Sequence, residues 1–113
     1  MLILLRCRYD LWHHRATGYG EDIVRVLLSR MAVDQLRAGL AAPAAAQAAV
    51  DYMAKRVGGT GGLAMLDFTT GSSGVGIAFN TPRMAFAYQT SEDGGPLVGI
   101  DPADVPRSIH KKT

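Results

Sequence analysis

The residues best placed to do chemistry are Ala16-Thr17-Gly18-Tyr19-Gly20-Glu21, a glycine-rich stretch that runs straight into a helix-forming pattern. A turn of this composition ahead of a helix aims main-chain N–H groups, and the positive end of the helix dipole, at one point. Anions and developing oxyanions are stabilised at such a point. Thr17 adds a hydroxyl, while Gly18 and Gly20 let a ligand approach the backbone closely. A plainer alternative also accounts for the motif: Thr17 caps the helix and nothing binds. Tyr19 either lines a pocket or covers the helix start.

Other reactive side chains do not assemble into a site. His13 and His14 lie near Cys7, but adjacent histidines on a strand point to opposite faces, and no acidic or cysteine cluster completes a tetrahedral set. No metal is expected. Cys7 is the only cysteine and has no third group to orient it as a nucleophile with either histidine, so it reads as a plain thiol. Asp22, Asp34, Asp51 and Asp67 read as scattered, solvated carboxylates, which gives no support to paired-carboxylate catalysis. Asn80-Thr81 before Pro82 reads as a strand-ending turn. Phe79, Met84, Phe86 and Tyr88 read as core.

Composition narrows the class further. A chain of 113 residues supports one domain, and 48% hydrophobic with 19% charged residues excludes a disordered one. The net charge is only +2, with Arg6, Arg8 and Arg15 at one end and Arg107, Lys111 and Lys112 at the other. No basic stripe interleaved with aromatics results, so nucleic acid is not an expected partner. Residues 1–5 are apolar, but Arg6 and Arg8 follow at once; the run is too short for a signal core or a membrane span. The default is a cytoplasmic protein without cofactor.

Periodicity supplies the elements that must position the motif. Over residues 21–38, Ile23, Val24, Leu27, Leu28, Met31 and Leu36 share one side of a helical wheel. Glu21 and Asp22 suit the first turn, and Gly39 the stop. A second helix is expected over 43–57, with Pro43 in its first turn, Gly58-Gly59 at its end, and a buried stripe of Ala46, Val50, Met53 and Val57. The short link between them implies an antiparallel pair. Strands follow at 62–68, 75–80, 83–90 and 97–100, separated by turns at 69–74 and 91–95. Helices followed by a meander give an α+β class. Residues 101–113 read as a loose tail. Residues 1–11 could form a strand, whereas Trp12-His13-His14-Arg15 is too polar for a buried one.

The pieces Thr-Gly-Tyr-Gly-Glu at 17–21, Gly61-Gly62-Leu63, Phe79-Asn80-Thr81, Met84, Ala87-Tyr88 and Gly99-Ile100-Asp101-Pro102 occur in an informative order. Together they resemble the C-terminal part of the β-subunit of the plant-type L-asparaginase and isoaspartyl peptidase family, which are N-terminal-nucleophile (Ntn) hydrolases. The likeness covers residues 16–102, leaving 1–15 as a divergent segment and 103–113 as a basic tail. It implies part of an αββα sandwich, with two antiparallel helices packed on an antiparallel sheet. It also implies a precursor that cuts itself, so that a threonine becomes the nucleophile and its own α-amine the general base. The Thr17 hydroxyl and Gly18 N–H would form the oxyanion hole, with Thr17, Gly18, Tyr19 and Gly20 helping to hold the substrate. That substrate would be asparagine or a β-aspartyl peptide.

The departures from the family pattern are specific. The nucleophile of the family heads a strand several dozen residues before the Thr-Gly pair; here sixteen residues precede Thr17 and none is a threonine. The arginine and aspartate that grip substrate also lie upstream in the family, and Arg6, Arg8 and Asp10 stand in no matching motif. The residues before Thr17 should form a small apolar strand, which Leu11-Trp12-His13-His14-Arg15 does not resemble. The expectation is therefore a catalytically silent fragment whose partners are the missing N-terminal part with its α-subunit, in an oligomer. The alternative is a non-catalytic truncated paralogue that acts as a binding or subunit-interaction module.

Overall fold

The computed structural model describes residues 2–3, 12–18, 20–67, 74–89 and 94–105, with side chains from residue 16 onward. Strands β1 (Leu2–Ile3) and β2 (Trp12–Gly18) are followed by helices α1 (Gly20–Val26), α2 (Leu28–Arg37) and α3 (Ala42–Val57). Then come β3 (Gly61–Asp67), β4 (Gly74–Phe79), β5 (Phe86–Tyr88), β6 (Leu97–Gly99) and a 3-10 turn at Pro102–Asp104. The first four strands form one sheet in the order β1-β2-β3-β4, and β5 pairs with β6 in a second. All pairings are antiparallel. The class is α+β.

Helix α3 forms because its sequence leaves little else to do. Pro43 sits in its first turn, alanine fills its interior, and Gly58 ends it at φ 63°. The Gly58 N–H donates to Ala54 O at 3.0 Å, the 5→1 bond of an αL ending, and the Gly59 N–H donates to Met53 O at 3.4 Å. Its buried face, Ala45, Ala46, Ala49, Val50 and Met53, is small enough to lie directly on the sheet. Gly76 of β4 completes that fit, since a Cβ there would overlap the Ala42 main chain.

The sheet buries one face against the three helices. Ala16, Leu63 and Ala78 stand side by side across β2, β3 and β4, and join Met65, Ile23, Leu28, Ala32, Leu36, Val50 and Met53 in one core. Full burial of Ile23, Leu28, Met53, Leu63 and Met65 contributes roughly 1.5–3 kcal/mol each. By strand alternation the neighbours Thr17, Gly62 and Phe79 belong to the opposite face.

Several expectations need correction. Residues 21–38 are not one helix. Leu27 breaks it with φ 50° and ψ 55°, so α1 and α2 present different faces, and Val24 and Leu27 are exposed instead of buried. A single wheel cannot describe two helices joined by a left-handed residue. Trp12–Gly18 is a strand along its whole length, because backbone pairing with β3 outweighs the polarity of its sequence. The expected strand at 83–90 shrinks to Phe86–Tyr88 and leaves the main sheet, so the meander is split in two. Phe79, Met84, Phe86 and Tyr88 are half-buried and lie outside the core.

Asp67 is buried, at 9% exposure, where a solvated carboxylate was expected. The start of the supposed loose tail is held. Ile100 and Asp101 N–H groups donate to Asp104 Oδ2 at 3.0 and 2.9 Å, and Arg83 Nε reaches Asp101 Oδ1 at 2.9 Å. Tyr19, the turns at 69–73 and 91–93, and residues 106–113 lie outside the described residues, as do the side chains of Cys7, His13 and His14.

Candidate functional site

Five chain segments converge at one end of the main sheet. They are the end of β2, the start of α1, the glycine end of α3, the first residues of β3 and the residue that follows β4. Glycines make the convergence possible. Gly18 ends β2 at φ 139°, a conformation that side chains rarely adopt. A Cβ there would strike the Gly61 Cα and lie 2.8 Å from Thr60 O. A Cβ on Gly61 would lie 2.8 Å from Thr17 O, and one on Gly59 would meet Asp22 Cβ at 2.7 Å and Met53 Cγ at 3.0 Å. Gly62 is closed over by Met84 and Phe79.

The expected glycine-rich turn is therefore not a turn. Thr17 and Gly18 are the last two residues of a strand, paired with Gly62 and Gly61. Only Gly20, buried, and exposed Glu21 belong to the helix start. Ala16 draws this segment into the sheet, because its methyl packs into the helix-facing core. Thr17 and Gly18 are half-buried, and both make interactions within the molecule. The corner brings together Thr17, Gly18 and Gly20 of the sequence-expected site.

Asn80 follows β4 ahead of a bend at Thr81-Pro82, as the sequence led one to expect, and its side chain also reaches the corner. Its Nδ2 donates to Gly59 O at 2.9 Å, its Oδ1 accepts the Gly61 N–H at 2.8 Å, and its own N–H donates to Gly61 O at 3.1 Å. One side chain thus ties the end of β4 to both sides of Thr60. No sequence signal could have exposed this, since the partners are main-chain atoms 19 and 21 residues away.

Asp22 packs against Gly59 of the corner; its side chain is 16% exposed and lies 4.0 Å from Arg25 Nη1. The one resolved pKa shift among the described residues belongs to Asp104, outside the corner. Among the described residues no group of histidine, cysteine or acidic side chains could hold a metal, and no helix is long and apolar enough to cross a membrane. A separate groove of about 420 Å³ runs beside β4, lined by Pro43, Gln47, Ile77, Phe79, Pro102 and Val105. It does not include Thr17 or Gly18.

A family profile described as Asparaginase matches residues 14–98. A plant-type L-asparaginase of Pyrococcus abyssi is 35% identical over 85 residues, covering 74% of this chain and 27% of the relative. An isoaspartyl peptidase/L-asparaginase of Xenopus laevis is 39% identical over 72 residues, covering 63% and 22%. A probable isoaspartyl peptidase/L-asparaginase of Drosophila melanogaster is 39% identical over 87 residues, covering 75% and 24%. The chain spans about a quarter of the length of the curated relatives it matches. The matched stretch runs from within β2 to within β6 and takes in the whole glycine corner: this chain belongs to the asparaginase family.

Proposed function

We propose that these residues are the C-terminal part of the β-subunit of an asparaginase or isoaspartyl peptidase of the Ntn-hydrolase type. They would carry its oxyanion corner, with the threonine nucleophile supplied by another segment. The single observation that carries the reading is the family match running through the corner where Thr17 and Gly18 meet Gly61 and Gly62.

In this reading, the sheet described here is one of the two stacked sheets of an αββα sandwich. Helices α1, α2 and α3 cover one face, and Thr17 stands on the other, toward the second sheet. The nucleophile attacks the side-chain carbonyl of asparagine, or the isoaspartyl carbonyl, and negative charge grows on the carbonyl oxygen. The Thr17 hydroxyl and the Gly18 N–H hold that charge, while Tyr19 and Gly20 help to shape the substrate site. Donors fixed by the fold need no reorganisation as charge develops, and loss of one costs about 2.7–4 kcal/mol of barrier. The role suits a rigid glycine corner. The substrate is a small amide or a β-aspartyl peptide, and the other partners are the N-terminal part with its α-subunit.

Ammonia release from L-asparagine and amino-acid release from β-aspartyl dipeptides test this division of labour. The purified 113-residue chain should show no turnover. Turnover by the chain alone would place a nucleophile within these residues and overturn the reading.

A further inference from the structure

Strand β4 ends the order of the main sheet, and its register fixes which of its main-chain groups β3 uses. The Asn80 N–H donates to Gly61 O at 3.1 Å, one step beyond the Gly62–Phe79 pair. Hydrogen-bonded pairs alternate along an antiparallel ladder, so Leu63–Ala78 is bonded while Gly62–Phe79 and Ala64–Ile77 are not. A Cβ on Gly62 would lie 2.6 Å from Phe79 Cβ, which agrees with the closer, unbonded pair type. Ile77 and Phe79 therefore turn their N–H and C=O groups away from β3. Neither makes a hydrogen bond to another partner among the described residues. Both line the groove of about 420 Å³ beside β4.

The groove decides what can meet this edge. Pro43 and Gln47 of α3, with Pro102 and Val105, form its walls, and Ile77 and Ala78 within it are only 4% and 2% exposed. Two recessed edges cannot reach one another, because their walls collide first, so β4 of a second copy does not fit. A helix has no lateral row of main-chain donors and acceptors to meet groups two residues apart, whereas an extended chain does. Gly74–Phe79 carries no charge and no proline, and its register runs without a bulge. The edge thus lacks the devices that usually repel an added strand. We propose that the β4 edge docks an extended, uncharged segment of another polypeptide as its next strand, hydrogen-bonded at Ile77 and Phe79. Successive side chains of that segment point to opposite faces, toward Pro43 and toward Val105, so small or apolar residues suit it. Thr17 and Gly18 lie outside the groove, and the docking does not depend on their role.

Hydrogen exchange of the 113-residue chain, followed by amide NMR with the peptide acetyl-Thr-Val-Thr-Val-Thr-amide as probe, tests the docking. In the free chain the Ile77 and Phe79 amides should exchange faster than that of Ala78, which is bonded to Leu63. Peptide at about ten times its Kd should slow Ile77 and Phe79 about tenfold and leave Ala78 unchanged. Gln47→Trp, on the exposed side of α3, should fill the groove and abolish that protection, whereas Val98→Lys, outside the groove, should keep it. Slow exchange of Ile77 and Phe79 in the free chain overturns the proposal. If it deepens with protein concentration, a second copy covers the edge; if not, the chain's own residues do. A peptide that protects neither amide at about 10 mM, or that moves only the Gly18 and Gly61 resonances, overturns it as well. Protection retained in folded Gln47→Trp, or lost in Val98→Lys, has the same consequence. Should Gln47→Trp not fold, the alternation at Ile77, Ala78 and Phe79 in the wild-type chain decides alone.

Discussion

Gly18 and Gly39 share a positive φ, at 139° and 101°, yet differ in what surrounds them. Around Gly39 nothing lies within 4 Å of an added Cβ, whereas at Gly18 the Gly61 backbone blocks it. Gly39→Ala should therefore cost only backbone strain, about 1–2 kcal/mol in urea unfolding. Gly18→Ala adds displacement of β3 and should cost at least about 3 kcal/mol or prevent folding; equal losses would show the β2–β3 contact to be slack. Ser29 poses the reverse case. It is 1% exposed in the first turn of α2, and its hydroxyl has no hydrogen-bond partner among the described residues. Ser29→Ala removes an unsatisfied group and favours helix, so stability should rise by about 1 kcal/mol. A loss on that substitution would mean the hydroxyl has a partner. The need for glycine at 18 was legible as a motif, but the atoms that enforce it were not, because they come from a strand more than 40 residues away.

At the scale of elements, α3 was legible almost to the residue because proline, alanine and paired glycines act locally. The first helix was not, since nothing in Val24–Leu28 marks the left-handed Leu27. The hairpin of β5 and β6 was legible only in outline, and its anchor is electrostatic. Hydrogen bonds from the Ile100 and then the Asp101 N–H hold the Asp104 carboxyl below the usual carboxylate range, against a small opposing effect of desolvation. A carboxylate with a depressed folded pKa adds stability above its unfolded pKa, near 4, and loses it as pH falls through the folded value. The anchor should hold at neutral pH and loosen in acid. Asp104 carboxyl carbon NMR should give a midpoint below that of aspartate in an unstructured peptide. Asp104→Asn should abolish the matching acid shift of the Ile100 and Asp101 amides, and a midpoint at the peptide value would refute the anchor.

Over the whole molecule, helices cover one sheet face, and β4 stands at the end of the four-strand order with no further strand beside it among the described residues. Val24, Leu27 and Val98 are exposed by 56%, 55% and 72%. Such surface favours self-association. Light scattering should show an average mass that rises with concentration, and Val98→Lys should reduce the rise while changing stability by less than about 0.5 kcal/mol. A concentration-independent monomer mass would contradict this. The sequence by itself determined the family, the α+β class, the alanine helix and the glycine motif, because local propensity and residue order carry that information. Tertiary structure alone decided that Trp12–Gly18 is a strand, that Leu27 breaks a helix and that Asn80 clamps Gly59 and Gly61. The strand and the Asn80 clamp depend on groups distant in the chain, whose pairing energy exists only once the sheet has formed.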